Sequence, residues 1–173
     1  MIFRAIFQNV FVWYSLLLFL SVSSFPSFAQ NKEGWEFLSW DMKMRQVQDS
    51  LTERKIFYTY DLNEGKGAYI KFKIADYEAY EVNLFFSTEN QFLYQVNTKR
   101  KFALKEIQEA EIELERVVSA MREAWGAPIK ENMDKTAPFC QYEIAWELEK
   151  SIVNVTYCKT SSISLTVNYN KKS

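Results

Sequence analysis

Two amphipathic helical patterns, each followed by a run of alternating strands, constrain this chain more than any other feature. Strand side chains alternate faces with period 2, whereas helix side chains return to one face every third or fourth residue. Each pattern therefore has one apolar side that must be buried. A first helix is predicted from Lys43 to Arg54, with Met44, Val47 and Leu51 on one face. It precedes "IFYTYDL", "AYIKFKI", "YEVNLFF" and "FLYQV". A second, "LKEIQEAEIELERVVSAMREAWG", places Leu104, Ile107, Leu114, Val118, Met121 and Trp125 on one stripe. Gly126 can take the left-handed conformation that ends a helix, and Pro128 prevents its continuation. "CQYEIAWEL", "IVNVTYC" and "ISLTVNY" follow. The order helix, four strands, helix, three strands predicts an α+β fold of two helix-plus-antiparallel-meander units, with both helices on one face of the sheet or sheets. The units span residues 37–102 and 103–173. Each is small for a stable core, so they are expected to share one domain.

Register follows from aligning apolar with apolar, because a slip of one residue turns every side chain over. Tyr60 opposite Ile70, Ile70 opposite Leu84 and Leu84 opposite Tyr94 satisfy the first four strands. The expected core rows are Tyr58–Phe72–Val82–Val96 and Leu62–Ala68–Phe86–Phe92. On the other face, Lys73 falls opposite Glu81, and Thr59, Lys71, Asn83 and Gln95 form a polar row. The next row, Asp61–Tyr69–Phe85–Leu93, breaks that polarity. Tyr69, Phe85 and Leu93 are therefore the candidate interaction patch, since apolar patches on otherwise polar faces mark contact sites. In the last strands Trp146 meets Val153, Ile144 meets Val155 and Tyr142 meets Tyr157.

The segment before these units reads as an address. Arg4, an apolar run from Val10 to Val22 and Ser27-Phe28-Ala29 have the order of a secretory signal peptide, residues 1–29, leaving a linker at residues 30–36. The rival reading is an uncleaved membrane anchor, but Arg4, Gln8 and Asn9 interrupt the apolar stretch. Export to the bacterial envelope, periplasmic or secreted, is expected, with no stable membrane anchor after cleavage. In such a compartment Cys140 and Cys158 are expected to form a disulfide. A direct cross-strand bond conflicts with the apolar register by one residue, so a β-bulge is predicted between the apolar block and the cysteines.

The 21 basic and 22 acidic residues leave no basic footprint, which argues against nucleic acid as a partner. Lys99-Arg100-Lys101, the one basic run, reads as a solvated loop. The chain has no histidine, which removes the commonest general base and most zinc sites. The carboxylates of "EIQEAEIELER" read as a solvated helix face, and Glu143 and Glu147 share a strand face with nothing to desolvate them. No catalytic, cofactor-binding or metal residues are expected. Trp40, in "WDMKMRQVQDSL", reads as a plug at the end of the core.

The tryptophan before a short helix, the spacing of Val47 and Leu51, the meander with "VNLFFSTENQFLYQV", and "AWGAP" ahead of "IAWELEKSIVNVTY" resemble the SmpA/OmlA (BamE-like) group and the related tandem fold of the β-lactamase-inhibitor proteins. The resemblance implies an outer-membrane assembly factor or an inhibitor that binds another protein across an open sheet. The chain lacks the lipidation cysteine of the lipoprotein members, and Asp41 and Lys43 stand where their usual pattern has glycine and a capping serine. The expectation is an exported, non-enzymatic module that binds a protein partner on the open sheet face. The alternatives are a carrier of a small apolar ligand or lipid, and, third, a carboxylate-based hydrolase.

Overall fold

The computed structural model describes residues 34–63, 67–72 and 80–172; for 61–63, 67–69, 71 and 72 it describes the backbone alone. The expected signal peptide, most of the expected linker and Lys73 lie outside the described residues. In chain order the elements are a small ribbon of β1 (Gly34–Trp35) and β2 (Leu38–Ser39), helix α1 (Met44–Glu53), and strands β3 (Tyr58–Asn63), β4 (Gly67–Phe72), β5 (Tyr80–Phe86) and β6 (Leu93–Phe102). A 3-10 turn (Leu104–Glu106) leads into α2 (Ile107–Trp125), followed by β7 (Lys130–Met133), β8 (Cys140–Glu147), β9 (Ser151–Lys159) and β10 (Ile163–Lys171).

The fold is α+β, with one eight-stranded antiparallel sheet in the order β3-β4-β5-β6-β10-β9-β8-β7. The two meanders are continuous because β6 and β10, the last strand of each, pair from Gln95–Asn170 to Phe102–Ile163. Four strands follow α2 where the alternation predicts three. The extra one, β7, reads "KENM" and is exposed throughout, so it carries no apolar alternation to betray it.

One face of the sheet holds the core. Leu84, Val96, Tyr169, Val153 and Trp146 form a continuous cross-strand row, and Val82, Thr98, Val167, Val155 and Ile144 form the next. All ten are buried, and all but the polar Thr98 join α1 and α2 side chains in a single hydrophobic cluster. Helix α1 contributes Met44, Val47 and Leu51, as its spacing predicts. The α2 stripe is corrected: Ala110, Glu113 and Val117 belong to it, while Leu104 is exposed. Leu104 sits in the 3-10 turn, whose tighter winding breaks the phase of the α-helical stripe. At the other end Gly126, at φ 80°, caps α2, and its carbonyl accepts a 3.0 Å bond from the Trp146 indole.

Two expectations near the chain start are also settled. Gly34 and Trp35, read as linker, belong to the fold, and Trp35 and Leu38 are buried in the core with Trp40. Trp40 is the core plug expected from its position. The basic run Lys99–Lys101, read as a loop, is part of β6, which continues to Phe102.

The β3–β4 and β4–β5 registers match the apolar alignment, but β5–β6 differs. Leu84 lies opposite Val96, Phe85 opposite Gln95 and Phe86 opposite Leu93, with a register shift that leaves Tyr94 unpaired. An even slip keeps every side chain on its face, so alternation alone does not exclude it. The turn selects it. Ser87 N–H bonds the Phe92 carbonyl at 2.9 Å and Gln91 N–H bonds Ser87 at 3.1 Å, which makes Phe86–Leu93 the first pair of the hairpin. The bulge at Tyr94 then lets Leu93 and Val96 both face the core.

In β8–β9 the apolar pairs and the disulfide coexist as the predicted bulge requires. Tyr142 pairs with Tyr157 and Cys140 with Cys158, with Gln141 the extra residue between them. The cysteines are bonded, with Cα atoms 3.8 Å apart.

Candidate functional site

Opposite the core, the sheet presents a face that carries no helix among the described residues. Period 2 dictates its content. Where one strand residue enters the core, its neighbours emerge on this side, and they are polar over most of the central strands. The β5–β6 slip changes the row predicted from sequence. Asn83 faces Asn97 and not Gln95, Asn97 faces Asn168, and Asn168 faces Asn154. Four asparagines on four adjacent strands therefore lie in one line across the middle of the open face. All are half-buried by their neighbours, and Asn97 Nδ2 donates to Asn168 Oδ1 at 2.6 Å. A second line, Glu81–Lys99–Thr166–Thr156–Glu143, runs beside it. Each carboxamide is both donor and acceptor, so the line can exchange hydrogen bonds with a surface laid across it.

The candidate patch does not survive as one surface. Phe85 lies on the open face, half-buried, and pairs with Tyr69 in the backbone ladder. The Tyr69 side chain lies outside the described residues. Leu93 is fully buried, because the bulge at Tyr94 reverses the facing expected for it. The row through Phe85 continues instead to Gln95, Asn170 and Ile152.

Glu143 and Glu147, the carboxylate pair on this face, are each held in an ion pair: Glu143 with Lys130 and Glu147 with Lys172, both at 2.7 Å. The Lys172 hydrogen bond and charge hold the Glu147 carboxyl below its ordinary range.

A second cluster was not legible as such in the sequence. Where α2 begins to cross β5 and β6, Glu113 is buried and accepts a 2.5 Å bond from the Tyr80 hydroxyl. Arg116 grips the same carboxylate in a fork, Nε to Oε2 at 2.9 Å and Nη2 to Oε1 at 2.7 Å. Arg100 approaches Oε1 at 3.6 Å and bonds Glu109 at 2.7 Å. Burial alone would raise the Glu113 carboxyl, but the hydrogen bonds from Arg116 and Tyr80 and the two guanidinium charges hold it below the usual glutamate value. Burial, then donation to Glu113, pushes the Tyr80 phenol well above its usual range. With every partner engaged, the cluster fixes α2 on the sheet. The sequence signal was spacing: Glu113 falls between Ala110 and Val117 on the apolar stripe, where an acidic residue needs a buried partner.

On the core side of the far edge, a groove of about 710 Å³ runs between α2 and strands β7 and β8. Leu114, Val118, Tyr142 and Ile144 give it an apolar floor, and Met133 forms part of its outer wall. Among the described residues no helix is long and apolar enough to cross a membrane, and no group of three or more His, Cys, Asp or Glu could hold a metal ion. The chain matches no protein-family profile, no curated protein and no solved structure.

Proposed function

We propose that this protein is an exported, non-enzymatic interaction module that binds a protein partner on the open face of its sheet. The observation that carries the proposal is the line Asn83–Asn97–Asn168–Asn154, flanked on one side by Glu81–Lys99–Thr166–Thr156–Glu143 and on the other by Phe85–Gln95–Asn170–Ile152, on a face that no helix covers among the described residues. A lipid would require an apolar surface there, and nucleic acid a basic one. Lys99 and Glu81 lie opposite each other, so the face is mixed in charge. Such a polar, hydrogen-bonding surface suits another protein. The Cys140–Cys158 disulfide accords with an oxidising, exported location, periplasmic or secreted.

A photo-crosslinking side chain placed at Thr166, the centre of the open face, tests this in the native host extract. The expected result is one discrete protein adduct, absent when the crosslinker sits at the exposed Glu123 of α2, and lost when Asn97→Lys and Asn168→Lys are added. Equal labelling from both positions, or none from Thr166, would overturn the proposal.

A further inference from the structure

Strand β7 ends the sheet and pairs, among the described residues, with β8 alone. Its backbone parity follows from one contact: Asp134 N–H bonds the Gln141 carbonyl at 2.9 Å. In an antiparallel ladder, hydrogen-bonded pairs alternate with pairs whose backbone groups point away. Asn132 and Lys130 share the parity of Asp134 and turn toward β8. Glu131 and Met133 therefore turn their N–H and C=O groups to the free edge. These two residues also lie opposite Ile144 and Tyr142, so their side chains are on the groove side. An open backbone edge and an apolar groove thus occur side by side, in the arrangement by which extended peptides are recognised. Main-chain bonds then supply affinity, and alternate side chains entering the groove supply specificity. Its volume of about 710 Å³ is that of a ligand site.

The rim decides what kind of chain fits. Arg122 lines the groove but is neutralised by Glu131 at 2.6 Å. Glu111 and Glu115 stand exposed on the α2 wall, against the single ammonium of Lys135. The rim is therefore net acidic. A second copy docking by its own β7 would bring Glu131 against Glu111 and Glu115, so the occupant is a different chain. We propose that the groove between α2 and β7 binds an extended peptide segment of a partner protein, with apolar residues at alternate positions and lysine or arginine between them, added as a further strand on β7.

The full chain, panned against a displayed library of random linear peptides, tests this. Enrichment of that pattern is expected, and the best peptide, made synthetically, should slow amide exchange at Glu131 and Met133. Met133→Pro removes an edge donor that β8 does not use and should weaken binding roughly tenfold or more, the loss of one anchor. Glu111→Lys with Glu115→Lys, two exposed positions that do not endanger folding, should do the same. Asn97→Lys on the open face should leave peptide binding unchanged, which separates this site from the function proposed above. Absence of the pattern among enriched peptides, or equal binding by the proline and charge-reversed variants, would overturn the proposal.

Discussion

The indole nitrogen of Trp40 donates a 2.8 Å hydrogen bond to Ser151 Oγ, joining the residues before α1 to the first residue of β9 across 111 positions. Both residues are buried. The same segment is fastened on its other side to the β5–β6 turn, by Met44 N–H to Gln91 at 3.2 Å and Leu93 N–H to Met42 at 3.0 Å. It straps the two meanders together beneath their shared sheet. This is why a unit that began as a helix with a core plug serves the whole domain.

Ser151→Ala leaves that indole N–H buried and unpaired, and is expected to cost about 1–3 kcal/mol. Trp40→Ala is expected to cost about 3–5 kcal/mol, as deletion of a large buried ring does. Trp40→Phe combined with Ser151→Ala removes both partners and should cost less than the sum of the two single changes. Urea denaturation followed by fluorescence and by circular dichroism checks this. Coincident transitions are expected, and a separate early transition for either half would contradict the strap.

Acid should loosen the grip of α2. The Glu113 carboxyl lies below its ordinary value of 4.5 because the Arg116 and Tyr80 hydrogen bonds outweigh burial. A carboxylate depressed in this way stabilises fully above its unfolded value, and the contribution is lost as pH falls through the folded value. Glu113→Gln should therefore be less stable than wild type at neutral pH, by about 3 kcal/mol, the low end for breaking a buried pair because Arg116 keeps access to water. The gap should stay flat down to the ordinary glutamate range and narrow progressively as the pH falls below it. Thermal melts of both proteins across that interval measure the gap; one that persists unchanged in acid would show that Glu113 contributes shape and not charge.

The β-rich frame was legible because its two central C-terminal strands, β9 and β10, keep a regular apolar alternation. Val153, Val155 and Tyr157 against Ile163, Leu165, Val167 and Tyr169 leave one satisfactory facing. What failed to show falls into two kinds. Strand β7 and the β1–β2 ribbon are short and make their place through backbone pairing, which residue type does not record. The β5–β6 slip is an even one, invisible to a period of 2, and only the turn from Ser87 to Phe92 resolves it. That slip aligned four asparagines that the sequence had left on separate rows, and the bulge at Tyr94 that accompanies it turned Leu93 from the candidate surface into the core. Arg100 was missed for a related reason: a charge at an inward strand position reads as the strand's end until its partner, on another element, is known.

The bulge at Gln141 gives the last prediction, because two deletions that look alike should differ. Removing Gln141 lets Tyr142 follow Cys140 directly. The ladder then becomes regular, with Cys140 still opposite Cys158 and Tyr142 still opposite Tyr157. The disulfide should form and the core should keep its facing, at the loss of the bonds from Asp134 N–H to the Gln141 carbonyl and from the Gln141 amide to the Lys135 carbonyl. Removing Glu143 also leaves Cys140 opposite Cys158. Tyr142, however, moves to the open face and Gln141 takes its place against Tyr157, breaking the edge-to-face ring contact at 5.6 Å. That deletion should cost more than the loss of Gln141, by about 1–2 kcal/mol, because a half-buried ring leaves the margin of the core together with its aromatic contact. Reduction of the disulfide should lower stability by about 3 kcal/mol in wild type, the chain-entropy value for a loop of this length, and by a similar amount in the Gln141 deletion. Thiol titration and denaturation of the two deletions decide it. If losing Gln141 leaves free thiols, the bulge does not reconcile the cysteines with the core, and the register of β8 is set by something other than its apolar residues.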